Sequence, residues 1–347
     1  MVKEIFSIIS HYHTFQTGGL LMALAIVVHA EQSSYRRSGA RMLITADGKW
    51  VGGISGGCLE GDVLKKASYA IHSKQPTTIR YDTREDDPNQ IGVGLGCNGL
   101  LDIVIIPLNK NYDNLHPIKV LEKLSKRRVP SVLVTNLNNG HTLDTFNQMP
   151  EQKRLVEAVE SAKSTLESNI FESEHAAYFI EVIKPSIHLY IFGCNYDVIP
   201  LIRIANNIGW FCKIVANPGK VSKYIFELSS GILDIKKGIP TMDEYSIPLI
   251  MGHDYKQDME VLSCLTIEQY RYVGLLGPKK RKEKMLKELR RKGKSVQTNS
   301  LFGPMGLDTG ADSPEEIAIS IIAEIRAVFS GRKGGSLRER TKGIYEK

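Results

Sequence analysis

The stretch Ile187-His188-Leu189-Tyr190-Ile191-Phe192-Gly193-Cys194-Asn195-Tyr196-Asp197 decides the architecture of the second half of the chain. Ile187 to Phe192 reads as a compact apolar strand that ends at once on Gly193. Val198 to Ile208 reads as a helix, with Gly209 as its stop. Phe211 to Ala216, Ile247 to Met251 and Tyr272 to Leu276 are further strands. Strands alternating with helices predict a parallel sheet, and strand, glycine turn, helix is the opening of a Rossmann-like domain. A dinucleotide site needs a second glycine in that turn, and an Asp or Glu at the end of the next strand. Asn195 and Asn217 stand there instead, so NAD binding is not expected.

Ligands of open α/β sheets sit at the carboxyl ends of the strands. Gly193, the segment Met251-Gly252-His253-Asp254 and the segment Gly277-Pro278-Lys279-Lys280-Arg281 all fall on that rim. Gly193, His253, Asp254, Lys279 and Arg281 are therefore candidate contacts. Lys279 and Arg281 open a helix, where cations oppose the dipole, and this favours an anionic ligand. A structural His–Asp hydrogen bond is the alternative. The last helix begins at Ser313-Pro314-Glu315-Glu316, which predicts a capping box. The glycine-rich residues before it, 303–311, are either a ligand loop or a structural turn.

Pro185 separates this half from the first, with the boundary near 184–186. The expected organisation is a first domain over 1–185, a Rossmann-like domain over 186–330 and a basic tail over 331–347. In the first domain Lys3 to Phe15 and Glu60 to Ser73 look helical. Leu21 to His29, Ser38 to Ile44, Thr77 to Tyr81 and Leu101 to Ile106 look like strands. The predicted class is α/β, a mixed α+β N-terminal domain followed by a Rossmann-like parallel-sheet domain. Residues 110–185 are the least readable, with strands at Pro130 to Asn136 and Tyr178 to Ile183 around a helix from Gln152 to Ser168.

The formal charge of +7 favours anionic ligands or acidic partners without choosing among them. The most basic stretch, Lys279 to Lys294, contains no aromatic residue on which bases could stack, so it reads as a solvated helix face and no nucleic-acid partner is expected. The longest apolar run, Leu20 to Ala30, is too short for a membrane span. Five scattered cysteines form no Cys-x-x-Cys pair, which suggests free thiols in a reducing cytoplasm.

Two glycine-rich loops carry a cysteine each. One is Gly52-Gly53-Ile54-Ser55-Gly56-Gly57-Cys58-Leu59-Glu60, and the other is Gly92-Val93-Gly94-Leu95-Gly96-Cys97-Asn98-Gly99. Such loops let backbone N–H groups approach an anion closely. A helix N-terminus, where Cys58 lies, favours a thiolate, and thiolates are soft metal ligands. Small buried residues are the competing reading of both cysteines.

These segments resemble the XdhC/CoxI family, the accessory factors of xanthine dehydrogenase and related molybdenum hydroxylases. The resemblance runs through Arg36, Gly39-Ala40-Arg41-Met42, Gly52 to Glu60, Leu95-Gly96-Cys97, Met251 to Asp254, Gly277 to Arg281, Gly306-Leu307-Asp308 and Ser313 to Ala318. The departures are Tyr35 for a usual proline, Asn98 for a glycine, and Asn195 and Asn217. The resemblance implies a chaperone that binds molybdenum cofactor (molybdopterin) transiently, supports its sulfuration with a cysteine desulfurase, and delivers it to an apo molybdenum hydroxylase. It also implies a homodimer. Cofactor contacts are implied at Arg36, Gly56, Gly57, Cys58, Glu60, Gly96, Cys97, Gly193, His253, Asp254, Lys279, Arg281 and Asp308, with Cys58 and Cys97 on the metal. The competing expectation is a subunit of a xanthine dehydrogenase complex, or a nicotinamide-dependent oxidoreductase using the C-terminal domain. With no iron–sulfur cysteine cluster, the chain alone is not expected to oxidise purines.

Overall fold

A computed structural model describes residues 2–31, 36–82, 99–145, 148–294, 298–341 and 343–344. The chain folds as two compact units, Met1–Pro185 and Ser186–Lys347.

The first unit is built on two antiparallel sheets. Strands β1 (Met22–Ala30), β2 (Arg41–Thr45), β3 (Trp50–Gly52), β4 (Thr77–Asp82) and β5 (Leu100–Pro107) form the larger, in the order β3-β2-β1-β5-β4. Both of its faces are covered, which is why β1 reads as an unbroken apolar run rather than an alternating one. Ala23, Ala25 and Val27 point one way and pack under α2 (Glu60–Ser73) through Val63, Ala67 and Ala70. Leu24, Ile26 and Val28 point the other way, onto α1 (Val2–Thr17) and α3 (Pro117–Ser125). The second sheet holds β6 (Ser131–Asn136), β7 (Thr142–Asp144), β8 (Asn169–Glu172) and β9 (Ala177–Ile183), in the order β7-β6-β9-β8. Its Val132, Val134, Ile180 and Val182 meet α4 (Lys153–Thr165), while Leu133, Phe179 and Ile183 join the core under the first sheet.

Strand periodicity places Glu181 of β9 on that inner face, where it meets Arg41 of β2. The pair is hydrogen-bonded with side chains only 2% and 1% exposed. Arg41 also donates to the Gly39 carbonyl at 2.6 Å, and its backbone N–H donates to Glu4 at 2.6 Å. Arg41 Nε and Glu181 Oε1 are buried without partners, so the pair is incompletely satisfied.

The second unit is an all-parallel sheet of β10 (His188–Phe192), β11 (Phe211–Ala216), β12 (Ile232–Asp234), β13 (Ser246–Ile250), β14 (Val273–Leu275) and β15 (Leu301–Phe302). The order β12-β11-β10-β13-β14-β15 is the Rossmann order, with the reversal between β10 and β13. Helices α5 (Val198–Asn207) and α9 (Pro314–Phe329) cover one face, and α7 (Tyr255–Cys264) and α8 (Lys279–Arg291) the other. The short α6 (Lys223–Leu228) follows β11. Helix α8 buries Met285, Leu286 and Leu289 and leaves most of its basic residues exposed. Helix α9 starts with the expected capping box of Ser313 and Glu316. Among the described residues, no helix is long and apolar enough to cross a membrane.

Removing one partner of a buried ion pair leaves an uncompensated charge and costs about 3–5 kcal/mol. Glu181→Ala is therefore expected to lower the unfolding free energy by about that amount in urea titration, and Arg41→Met/Glu181→Leu to recover most of it. A single-variant loss below about 1 kcal/mol would mean that water reaches the pair.

Candidate functional site

The cysteine loop of the first unit runs from β3 into α2 and is organised by Ser55. The Ser55 hydroxyl donates to the Glu60 carboxylate and accepts from the N–H groups of Gly57 and Leu59, both at 3.2 Å. The Cys58 thiol donates to the same hydroxyl at 3.6 Å. The Ser55 N–H donates to Glu60 at 2.9 Å, and the Gly53 N–H to the Arg41 carbonyl at 3.0 Å. Gly52 is required there, since a Cβ would lie 2.3 Å from the Arg41 carbonyl oxygen and φ is +87°. Burial works to raise the Glu60 carboxyl, but the Ser55 hydroxyl and the N–H groups of Ser55, Glu60 and Ile54 outweigh it and hold it below the usual range.

The N–H groups of Gly53, Ser55, Gly57 and Leu59 are thus turned inward, onto Ser55, Glu60 and Arg41. The anion nest expected from the glycine density is largely taken up by the protein itself. Gly56 and Gly57 are the exposed part of the loop, and Cys58 beside them is half-buried, packed against the core under α2. Burial raises the Cys194 thiol, and pushes that of Cys212, within β11, up to about 12. Arg36 is half-buried and paired with Glu4 of α1. Gly96 and Cys97 lie outside the described residues.

The rim of the second unit gathers most of its expected residues at the strand reversal. Gly193 ends β10 against β13: a Cβ there would sit 2.3 Å from the Met251 carbonyl oxygen, and φ is +148°. The glycine is thus required by the approach of two strand ends, without any phosphate. His253 adopts left-handed backbone (φ +59°), unusual for a residue with a side chain. Its Nε2 lies 2.7 Å from Asp197 Oδ2. The neighbouring Asp254 is exposed and caps α7, accepting from the Gln257 N–H at 2.8 Å.

Arg281 does not face open solvent. It donates to Asp258 at 2.6 Å, and Asp258, 3% exposed, also accepts from the Gly252 N–H at 3.0 Å. Burial pushes the Asp258 carboxyl up, against the pull of Arg281 and that N–H. Lys279 and Asp308 are exposed. The glycine loop before α9 is braced by that helix: the Gly306 N–H donates to Glu324 at 2.8 Å, and the buried Tyr272 hydroxyl donates to the same carboxylate at 2.6 Å. The Asn217 side chain accepts from the Gly219 N–H at 3.0 Å, and Asn195 donates to the Gly252 carbonyl at 3.4 Å.

Sequence reasoning missed Ser55, Asp197, Asp258 and Glu324 as organisers. Ser55 and Asp197 lie inside motifs whose glycines and cysteines dominate the pattern. Asp258 and Glu324 sit within helices, where a single acidic residue ordinarily reads as solvated. Among the described residues, no cluster of three or more His, Cys, Asp or Glu residues suits a metal ion.

Family models match the chain over both units: the XdhC and CoxI family at residues 17–82 and the XdhC Rossmann domain at residues 189–325. A Bacillus subtilis protein named as one of the probable subunits of xanthine dehydrogenase is 30% identical over 87% of this chain and 91% of its own. The chain belongs to the XdhC/CoxI family. A Bacillus halodurans crystal structure described as a xanthine dehydrogenase is 29% identical, with a TM-score of 0.75 over 95% of this chain and 98% of that one. The Escherichia coli "Molybdenum cofactor insertion chaperone PaoD" is 22% identical over 88% of this chain and 82% of its own. The family matches take in the Cys58 loop and the whole rim from Gly193 to Ser313, and leave 83–188 between them.

Glu60 holds the Cys58 loop through Ser55, and Glu60→Gln keeps its size while removing the charge. Cys58 in this variant is expected to be alkylated several-fold faster in peptide-resolved mass spectrometry, at an unchanged melting temperature. Because the Glu60 carboxyl is depressed, its hold is present at neutral pH and is lost as pH falls through and below the usual glutamate range. The ratio of variant to wild-type rate at each pH, in which the general slowing of thiol alkylation in acid cancels, should therefore fall to one as Glu60 is protonated. Equal rates in both proteins at neutral pH would show that Glu60 does not order the loop.

Proposed function

We propose that this chain is an accessory factor that binds molybdenum cofactor, supports its sulfuration and delivers it to an apo molybdenum hydroxylase of the xanthine dehydrogenase type. The observation that carries the reading is Cys58: a half-buried thiol on a glycine loop held from beneath by Ser55 and Glu60. A thiolate is a soft ligand, suited to a molybdenum–sulfur group. Similarity to a protein named as a molybdenum cofactor insertion chaperone supports the same reading.

In this proposal Cys58 and Cys97 address the metal end, and Gly56, Gly57 and Gly96 leave room for it. Glu60 positions Cys58, and Arg36 braces the adjoining segment through Glu4. In the second unit Lys279 is an exposed cation at the rim, while Arg281 serves Asp258. Binding is transient, a cysteine desulfurase supplies the sulfur, and the working form is a homodimer. The second reading is a lasting subunit of a xanthine dehydrogenase complex, favoured by the names of the two Bacillus proteins. The two differ in lifetime: a chaperone leaves its client after loading, whereas a subunit co-purifies with it in fixed ratio.

The test is co-expression with molybdenum cofactor biosynthesis, followed by metal analysis and an absorbance spectrum of the purified chain. Wild type is expected to retain molybdenum and Cys58→Ala to lose most of it while staying folded by circular dichroism. Equal molybdenum in both would remove Cys58 from the site, and none in either would overturn the reading.

A further inference from the structure

The net charge of the whole chain is concentrated on helix α8 and the turn after it. Residues Lys279 to Lys294 hold ten of the 45 Lys and Arg residues but two of the 38 Asp and Glu, an excess of eight positive charges against +7 for the full sequence. The rest of the chain is therefore close to neutral. Met285, Leu286 and Leu289 seat the helix on the sheet. On the side away from them Lys280, Lys284, Lys287 and Arg291 recur at i, i+4, i+7 and i+11, a row about 16 Å long, and all four are exposed.

Several neighbouring cations already serve the fold. Arg281 pairs with Asp258, Lys282 Nζ donates to the Leu301 carbonyl at 2.8 Å, Lys292 pairs with Glu288, and Lys294 donates to the Ser263 carbonyl. Among the described residues none of the four in the row forms an ion pair. Lys284 lies 4.5 Å from the centre of the Tyr255 ring, a contact that leaves its charge in place. Like charges four residues apart weaken a helix, and both Lys280 with Lys284 and Lys287 with Arg291 are such pairs. The row thus adds nothing to the fold. What it creates is a field of one sign, which draws in acidic partners and speeds their encounter.

The chemistry of the row selects among such partners. A bilayer needs apolar side chains beside the cations, and those of α8 are buried. The helix carries no aromatic residue on which a base could stack. Three of the four cations are lysines, hydrated point charges on flexible stems rather than the guanidinium forks that match phosphate. Such groups suit separate carboxylates on another protein, held loosely and released easily. We propose that the outer face of α8 docks an acidic protein surface, with Lys280, Lys284, Lys287 and Arg291 against its carboxylates. This rests on the helix and is independent of the cofactor reading.

The probe is labelled poly-L-glutamate, titrated with the full-length chain by fluorescence anisotropy at about 0.1 M salt, where charges act over about 10 Å. Duplex DNA and phosphatidylserine vesicles are run beside it. Lys280→Glu/Lys287→Glu sets an acid four residues before a cation in each case, an order that favours the helix, so helix content is expected to be unchanged by circular dichroism. The control is Lys236→Glu/Lys237→Glu, an equal charge change at exposed residues. They follow β12, four strands from β14 in the sheet and so about 19 Å away. Wild type is expected to bind polyglutamate more tightly than DNA or vesicles. The α8 variant is expected to bind it at least about tenfold more weakly, and the control within about threefold of wild type. An equal loss in both variants would reduce the effect to net charge and overturn the docking face. Tighter binding of DNA or vesicles, or no binding of polyglutamate, would overturn the choice of an acidic protein.

Discussion

A backbone N–H beside a buried strand end must find an acceptor, and at three places in this chain the acceptor is an internal carboxylate. Glu60, with Ser55, takes the N–H groups of the cysteine loop. Asp258 takes Gly252, and Glu324 takes Gly306. Glu60 and Glu324 serve glycine-rich segments that otherwise resemble phosphate cradles. Once those N–H groups are paired internally, the loops are rigid supports rather than anion nests. Their chemistry passes to the side chains they position, the half-buried Cys58 thiol in one unit and the His253–Asp197 pair in the other.

The same constraint decides what each charge does. Arg281, placed by its position at the start of α8, serves Asp258 and so fixes the turn after β13. Arg36 and Arg41 serve Glu4 and Glu181 inside the first unit. Much of the positive charge near the motifs is therefore structural.

The fold is legible in the sequence because its signals are local. Ile187 to Phe192 followed by Gly193 signals the parallel sheet, and Ser313 to Glu316 signals α9. Strand β1 reads as buried because both faces are covered. Helix α3, the short β7, β8, β12 and β15, and helix α7 give no comparable signal. The strands are two to four residues long, and α7 mixes buried Met259 and Val261 with a buried Asp258. The rim residues are legible by position, since the carboxyl ends of parallel strands share one edge. Their partners are not: nothing in sequence pairs His253 with Asp197, fifty-six residues away, rather than with its neighbour Asp254. Gly193 suggests phosphate approach in sequence, whereas the contact with the Met251 carbonyl already demands it.

The central claim, that the protein itself occupies the glycine loops and turns that would otherwise cradle phosphate, is tested most directly by calorimetric titration of the full-length chain with NAD and with pyrophosphate. The account predicts no binding of either in the micromolar range. Micromolar binding of NAD would contradict it, because the pyrophosphate would then be held by a turn whose glycine and asparagine are already committed to the strand ends.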